Sequence, residues 1–497
     1  MKKKQIKLFL QLMALMLALL TFAGALAACK TEPPAETPTE TTERKEGDEK
    51  SYYPLSGDYG GRSFSLLTRK DTFSYEFDVK ELGTDEVENA IYARNTAIEN
   101  AYNVCIDVTL LNNTYQSDQL SDRLNNLYAS GSADEDYDLI GGNECRLVGL
   151  IPNGWFQDWN DMNYVDLDAD VWTNGVTEGL TVNGQTYAIT GDLAITFWKH
   201  MGAMVFNKDW VTRVWNENLY QVVNDGRWTY EYFKEAVMAG SDNDGESPDA
   251  GDKTAVYGFS SDWDVAIDSF VTAFNINPIT KDESGRLSLS NLAGEQVVNY
   301  VTEMQYFYTS DNHYAWAYKG VDPSFYFRKN QAMIVPMRFE MIERMLDWDG
   351  NYGVIPYPKY NSQQQEYASP LSDGSTIFAI PKTNQDTDFT CIITSALAEK
   401  SAELVIPAYY EQVIRSKGAK DPQSYQMLDL IRETITIDLS VLYSIAPVYG
   451  LLRNTINAVI RPAQPDSKDY MSNYESQLPA AQEAIQKFND FYFGAGS

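Results

Sequence analysis

From Arg62 onward the chain alternates short apolar runs with amphipathic helical stretches, and this alternation restricts the fold more than any other feature. Ser63–Thr68 reads as a strand. Thr84 or Asp85 supplies an N-cap for a helix running to Tyr102, with Val87, Ile91, Ile98 and Tyr102 along one side. Val104–Leu110 is the next strand. Leu120, Leu124 and Leu127 mark a second helix that stops at Gly131, and Tyr137–Ile140 is a third strand ending in Gly141-Gly142. Strand, helix, strand, helix, strand is the order of a parallel sheet whose apolar faces are covered by helices, so the expected class is α/β. Ligands of such sheets sit beyond the carboxyl ends of the strands. Asn143, Glu144 and Arg146 follow the third strand and are candidate ligand contacts. The same residues also suit turn and helix-cap chemistry.

The second informative stretch is Val182–Val211. An extended run, Gln185–Thr190, is interrupted at Gly191-Asp192 and resumes from Ala203 to Asn207. Gly tolerates positive φ and Asp bonds its own backbone, so the pair signals a turn. Ile195, Phe197 and Trp198 are too apolar for a solvated turn. A chain that leaves one strand and enters another in this way can cross between two sheets, with Asp192 and Trp198 in the cleft between them. An ordinary strand–turn–strand with its aromatics in one core fits the stretch as well. Tyr352–Pro356 and Thr376–Ile380 read as strands flanking the polar loop Lys359–Ser372, a second possible crossing.

At 497 residues the chain exceeds what one core usually organises, so two domains are expected. Its 70 acidic residues against 39 basic give a formal charge of −31, a field that repels phosphate backbones and argues against nucleic acid as a partner. The only histidines are His200 and His313, too few for a multi-histidine metal site. No serine-nucleophile elbow, zinc motif or phosphate loop is present. No cofactor and no metal are expected.

At the N-terminus Lys2, Lys3, Lys4 and Lys7 precede an apolar run from Leu8 to Leu26, which ends in Leu26-Ala27-Ala28-Cys29. A basic head, an apolar segment and small residues form a secretory leader. Cys29 behind Leu-Ala-Ala resembles the lipobox of bacterial lipoproteins, in which that cysteine is acylated. A membrane-spanning anchor is the competing reading, weakened by the small-residue end and the polar tail beyond it. Residues 1–28 are therefore expected to be a lipoprotein signal peptide. Residues 29–56, rich in Pro, Glu, Thr and Lys, are expected to be a disordered tether. Cys105, Cys145 and Cys391 have no disulfide or zinc spacing, and Cys105 and Cys391 are expected to be buried thiols.

Further on, Phe233, Ala236 and Val237 mark a helix, as do Val297, Tyr300, Met304 and Tyr308. Between them Gly240–Lys253 is rich in Asp and Gly, but its spacing misses the calcium-loop pattern, and a solvated loop is expected. Helices are expected over Phe389–Ser401, Met427–Ile437 and Gln477–Phe491.

With these pieces placed, the chain resembles the family-1 extracellular solute-binding proteins, the carbohydrate-binding subunits of ABC importers. The resemblance rests on Cys29 and on Arg94-Asn95, Ile98-Glu99 and Tyr102-Asn103-Val104. It also rests on Tyr137-Asp138-Leu139-Ile140, Asn183-Gly184-Gln185-Thr186-Tyr187 and Val205-Phe206-Asn207-Lys208-Asp209. Phe327–Met333 is similar to the family's Phe…Gly…Ala-Met passage, with Asn330 in place of the Gly, a change a tight turn accepts. The resemblance implies a two-lobed, periplasmic-binding-protein-like (type II) fold with a hinge and an interlobe cleft. It makes Thr190–Asp192 the first crossing and Tyr352–Pro356 into Thr376–Ile380 the second. Lobe I would be 57–190 with 360–400, and lobe II 191–359 with 401–497. A monomer working with permease subunits, lipid-anchored at the extracytoplasmic face of the cell membrane, is what the resemblance implies.

A sugar offers apolar C–H faces to aromatic planes and hydroxyls to charged side chains. The 33 Tyr and 10 Trp supply such planes. Candidate stackers are Trp155, Trp198, Trp263, Trp316, Trp348 and Tyr357, each of which also suits a core. Trp263 lies among Ser261, Asp262 and Asp264, and Trp316 lies in the aromatic run His313–Tyr318. Candidate polar partners are Glu144, Arg146, Asp192, Arg338 and Asp373. Two other readings compete: a surface glycoside hydrolase, which needs two facing carboxylates, and a lipoprotein that presents ligand to a membrane kinase.

Overall fold

A computed structural model describes residues 53–70, 76–114, 117–130, 137–172, 174–242, 256–262, 265–309, 314–318, 324–345, 347–410, 421–443, 446–460 and 469–494. The leader, Cys29, the expected tether up to residue 52 and most of the Asp-rich loop lie outside them, as do His313 and Trp263. The last residues of the expected tether are ordered instead: Tyr53 is buried in the core and the Pro54 carbonyl accepts from the Tyr102 hydroxyl at 2.7 Å. Among the described residues no helix is long and apolar enough to cross a membrane.

Thirteen strands are assigned among the described residues. They are β1 Arg62–Arg69, β2 Val104–Leu111, β3 Leu139–Asn143, β4 Gly202–Asn207, β5 Tyr257–Asp262, β6 Ile279–Lys281 and β7 Leu287–Leu289. The rest are β8 Ala315–Tyr318, β9 Ala332–Arg338, β10 Tyr352–Ile355, β11 Ser369–Pro370, β12 Thr376–Ala379 and β13 Ile435–Thr436. One sheet has the order β12-β3-β1-β2 and a second the order β10-β4-β9-β5-β8. In the first, β1 runs parallel to β2 and β3, and β12 returns antiparallel to β3. In the second, β5, β8 and β9 are parallel while β4 and β10 flank them as an antiparallel pair.

The first sheet forms as expected because local chemistry and burial agree. Asp85 caps the helix Glu86–Tyr102 by accepting from the N–H groups of Val87 and Glu88, and Val87, Ile91, Ile98 and Tyr102 are its buried residues. The third strand differs from expectation: it runs on through Gly141-Gly142 to Asn143. A Cβ on Gly141 would come within 2.8 Å of Thr68 Oγ1 and 2.9 Å of Phe378 Cε1, so glycine lets β3 lie between its neighbours rather than ending it. Cys105 is exposed, against expectation, because β2 alternates faces and turns it outward, whereas Cys391 is buried.

In the second sheet the helix Tyr230–Gly240, capped by Thr229, packs on β5 and β9. Asn330 adopts φ 57°, the conformation expected of a glycine substitute in the turn before β9. The tail departs from expectation in two places: the last helix runs Tyr470–Phe493, starting at its Asp469 cap rather than at Gln477, and the helix expected over Met427–Ile437 is shifted. The helix Pro422–Glu433 begins at its Asp421 cap, earlier than Met427, and ends before Ile435–Thr436, which form β13 beside β11. Asp421 satisfies the first turn, and the β-branched run Thr434–Ile437 prefers extended backbone.

The C-terminal third weaves between the sheets. The π-helical turn Ser401–Val405 continues the helix Thr387–Lys400 and packs on Glu86–Tyr102 beside the first sheet. Pro422–Glu433 packs on β10, Leu439–Tyr443 on helices Glu144–Leu147 and Asn174–Leu180, and Ala446–Ile460 on helices Val265–Ala273 and Glu295–Thr309.

Candidate functional site

Both crossings occur where the chain was expected to change sheets. Ile189 bridges Phe378 of β12, the chain turns through Gly191 and a short helix Ile195–Lys199, and it enters the second sheet at Gly202. The return passes from β10 through β11 and Ser372–Ser375 into β12. Between the crossings lies Glu76, fully buried, whose Oε1 accepts from the Thr196 N–H (3.0 Å) and hydroxyl (2.8 Å) and whose Oε2 accepts from the Thr376 hydroxyl (2.7 Å). Burial pushes its pKa up, while Arg69 opposes the shift.

The carboxyl ends of the two sheets meet at the return crossing. Arg69 closes β1 and donates to the Gly374 carbonyl, and Glu144, just past β3, accepts from the Gly374 N–H at 2.9 Å. Asp373 pairs with Arg453 at 2.8 Å, and its carbonyl accepts from His200 Nδ1 at 2.8 Å. His200 stands two residues before β4, whose Gly202 pairs with Arg338 at the end of β9. Arg338 binds Glu340 at 2.6 Å.

These charges are held in a dry setting. Burial raises the Glu144 carboxyl to about 8, with nearby Asp373 adding to the shift and the Gly374 N–H opposing it. Burial, with Arg338 and Arg69 close by, holds His200 well below its ordinary value. The crossing passes so tightly that a Cβ on Gly374, whose φ is +113°, would fall 2.3 Å from His200 Cε1.

Asp192 and Trp198 form a separate place. Trp198 Nε1 donates to Asp192 Oδ1 at 3.0 Å, beside a cavity of about 510 Å³ lined also by Trp172, Tyr410 and Arg432. The Arg432 guanidinium lies 5.4 Å from the Trp198 ring centre and 4.9 Å from that of Tyr410. Burial pushes Asp192 up to about 6, against the Trp198 hydrogen bond and Arg432.

The expected site residues thus divide. Glu144, Asp373 and Arg338 gather where the sheets meet, and Asp192 with Trp198 lines the cavity. Arg146 turns elsewhere, with Nη2 toward the Thr114 carbonyl at 3.4 Å and Asp118 beyond, while Asn143 caps the helix Glu144–Leu147. Tyr357 is buried edge-on to Phe270, so its aromatic plane is spent on the core. Trp155 stacks on Tyr128 and Trp348 on Tyr352. Trp316 lies in β8, paired with Ser260 of β5, and Trp263 would follow β5 outside the described residues. Sequence reasoning missed Arg69, His200, Arg432 and Arg453. His200 alone carried a signal, its place just before a strand that follows the first break.

No protein-family model and no curated protein sequence matches the chain. Solved structures do. An ABC substrate-binding protein from Listeria monocytogenes in complex with cycloalternan aligns with 86% of this chain and 99% of its own, at TM-score 0.56 and 13% identity. The maltotriose-binding protein of Thermus thermophilus covers 85% of this chain and 100% of its own, at 0.51 and 14%. The galacto-N-biose/lacto-N-biose I-binding protein of a Bifidobacterium longum ABC transporter covers 88% and 99%, at 0.56 and 13%. Over most of its length, therefore, this chain has the two-lobed α/β fold of the ABC sugar-binding proteins.

Proposed function

We propose that the protein captures a carbohydrate between its two lobes and delivers it to the permease of an ABC transporter, held at the outer face of the cell membrane by acylated Cys29. One lobe comprises the first sheet with residues up to 190 and 376–405. The other comprises the second sheet with 202–355 and the helix Pro422–Glu433. We take the lobe change after Val405, since Ser401–Val405 pack on Glu86–Tyr102 beside the first sheet.

The observation that carries this reading is the meeting of both sheets' carboxyl ends at the return crossing, where Glu144 binds the Gly374 N–H, Asp373 precedes Gly374, and Arg338 ends β9 opposite Gly202. Ligands of open α/β sheets bind at such ends. Charged groups there suit sugar hydroxyls. The chemistry is binding rather than bond-breaking. Titration calorimetry of the mature chain with maltotriose, cycloalternan and lacto-N-biose should give saturable heat with the sugar recovered intact. Released products would support a glycoside hydrolase, and silence with all three would defeat the carbohydrate reading.

A further inference from the structure

The cavity beside Asp192 shares no lining residue with the junction at Glu144, Asp373 and Arg453. Its walls combine flat and polar surfaces. Trp172, Trp198 and Tyr410 present three aromatic rings around a volume of about 510 Å³, within the ordinary range of small-molecule sites.

Its two principal charged groups have bonding capacity left over. Among the described residues Asp192 accepts one side-chain hydrogen bond, from Trp198 to Oδ1, and none at Oδ2. Arg432 stacks on two rings, yet among the described residues it makes no hydrogen bond and no ion pair. A carboxylate oxygen that accepts and a guanidinium that donates, set against aromatic faces, are complementary to a hydroxylated ring, whose hydroxyls do both and whose C–H faces stack.

The walls also belong to different bodies. Trp172 precedes the first crossing, Asp192 stands at it with its N–H bonded to the Val171 carbonyl, and Ala402 lies on the turn packed against the first sheet's helix. Arg432 is on the helix Pro422–Glu433, which packs on β10 of the second sheet. An occupant touching both walls binds one lobe arrangement better than another, and is thereby linked to closure.

We propose that this cavity is a second carbohydrate-binding site, distinct from the capture site at the carboxyl ends of the sheets, and that it takes a single sugar ring or the end of a short oligosaccharide. The inference rests on the two-lobed capture reading and adds a second place to it. Calorimetry with the tightest binder among maltotriose, cycloalternan and lacto-N-biose tests it. Two sites per chain are expected. Arg432→Gln and the cavity-filling Ala402→Trp should each weaken one site at least tenfold and leave the other within twofold, and Asp373→Asn should do the reverse. Arg432 is exposed, so its variant reports even if Ala402→Trp folds poorly. A single site that is lost in Asp373→Asn and untouched in Arg432→Gln overturns the inference and leaves capture at the sheet ends standing. A single site lost only in Arg432→Gln overturns it the other way, making the cavity the capture site itself. Silence of the unaltered chain with all three sugars overturns both.

Discussion

Arg453 Nη1 lies 2.8 Å from Asp373 Oδ2, and each side chain keeps only 11% of its exposure. This pair ties the helix Ala446–Ile460, which packs on second-sheet helices, to the segment that returns the chain to β12. Removing one partner of a mostly buried pair strands the other charge, at a cost of roughly 3–5 kcal/mol. Arg453→Met should therefore lower the urea midpoint strongly. The double variant with Asp373→Leu should recover part of that loss, and additive losses in the cycle would show that the two side chains are not coupled.

Glu144 gives the fold a pH dependence with a defined sign. Its carboxyl is raised from an ordinary 4.5 to about 8 by burial, so the folded state holds a proton that the unfolded state has released. The folded state has the full benefit of this proton below about 4.5, and loses it as pH rises through about 8. Melting temperature should fall across that window, and Glu144→Gln should flatten the fall. A Glu144→Gln variant that keeps the whole slope would assign the dependence to other groups.

Gly374→Ala should be among the most damaging single-methyl changes in the chain. Its φ of +113° disfavours any L side chain, and the new Cβ would meet the His200 ring at 2.3 Å. Overpacking and backbone strain together cost about 2–4 kcal/mol. Pairing it with His200→Ala removes the clash but not the strain, so the double variant should lose less than the sum of the singles. Full additivity in thermal melts would rule out the clash.

Cys29→Ala should release the protein from membranes into the soluble fraction. Residues 30–51 carry no large apolar residue able to join a core, so the released chain should melt at the same temperature as the detergent-extracted protein. Retention of the processed variant on membranes would defeat lipid anchoring at this residue.

Much of the fold was legible along the chain. The β1 to β3 rhythm, the cap at Asp85, the break at Gly191-Asp192 and strands β10 and β12 follow from periodicity and turn chemistry, which act over a few residues. The site was legible only in part. Glu144, Asp373 and Arg338 stood out because they follow or precede strands, and strand ends are local features. Arg453 and Arg432 sit on ordinary-looking helices, and no neighbour in sequence marks them.

The sequence by itself determined the α/β class, the two crossings and the strand ends where charges would gather, because each depends on the order of apolar and turn residues within one short segment. The tertiary structure decided which charges meet. Arg453 reaches Asp373 across 80 positions and Glu144 reaches Gly374 across 230, and it is the packing of the sheets, not any local pattern, that brings them together. It also decided that Asp192 and Glu144, both candidate ligand contacts, take different partners, because packing sets Trp198 against the first and the Gly374 N–H against the second.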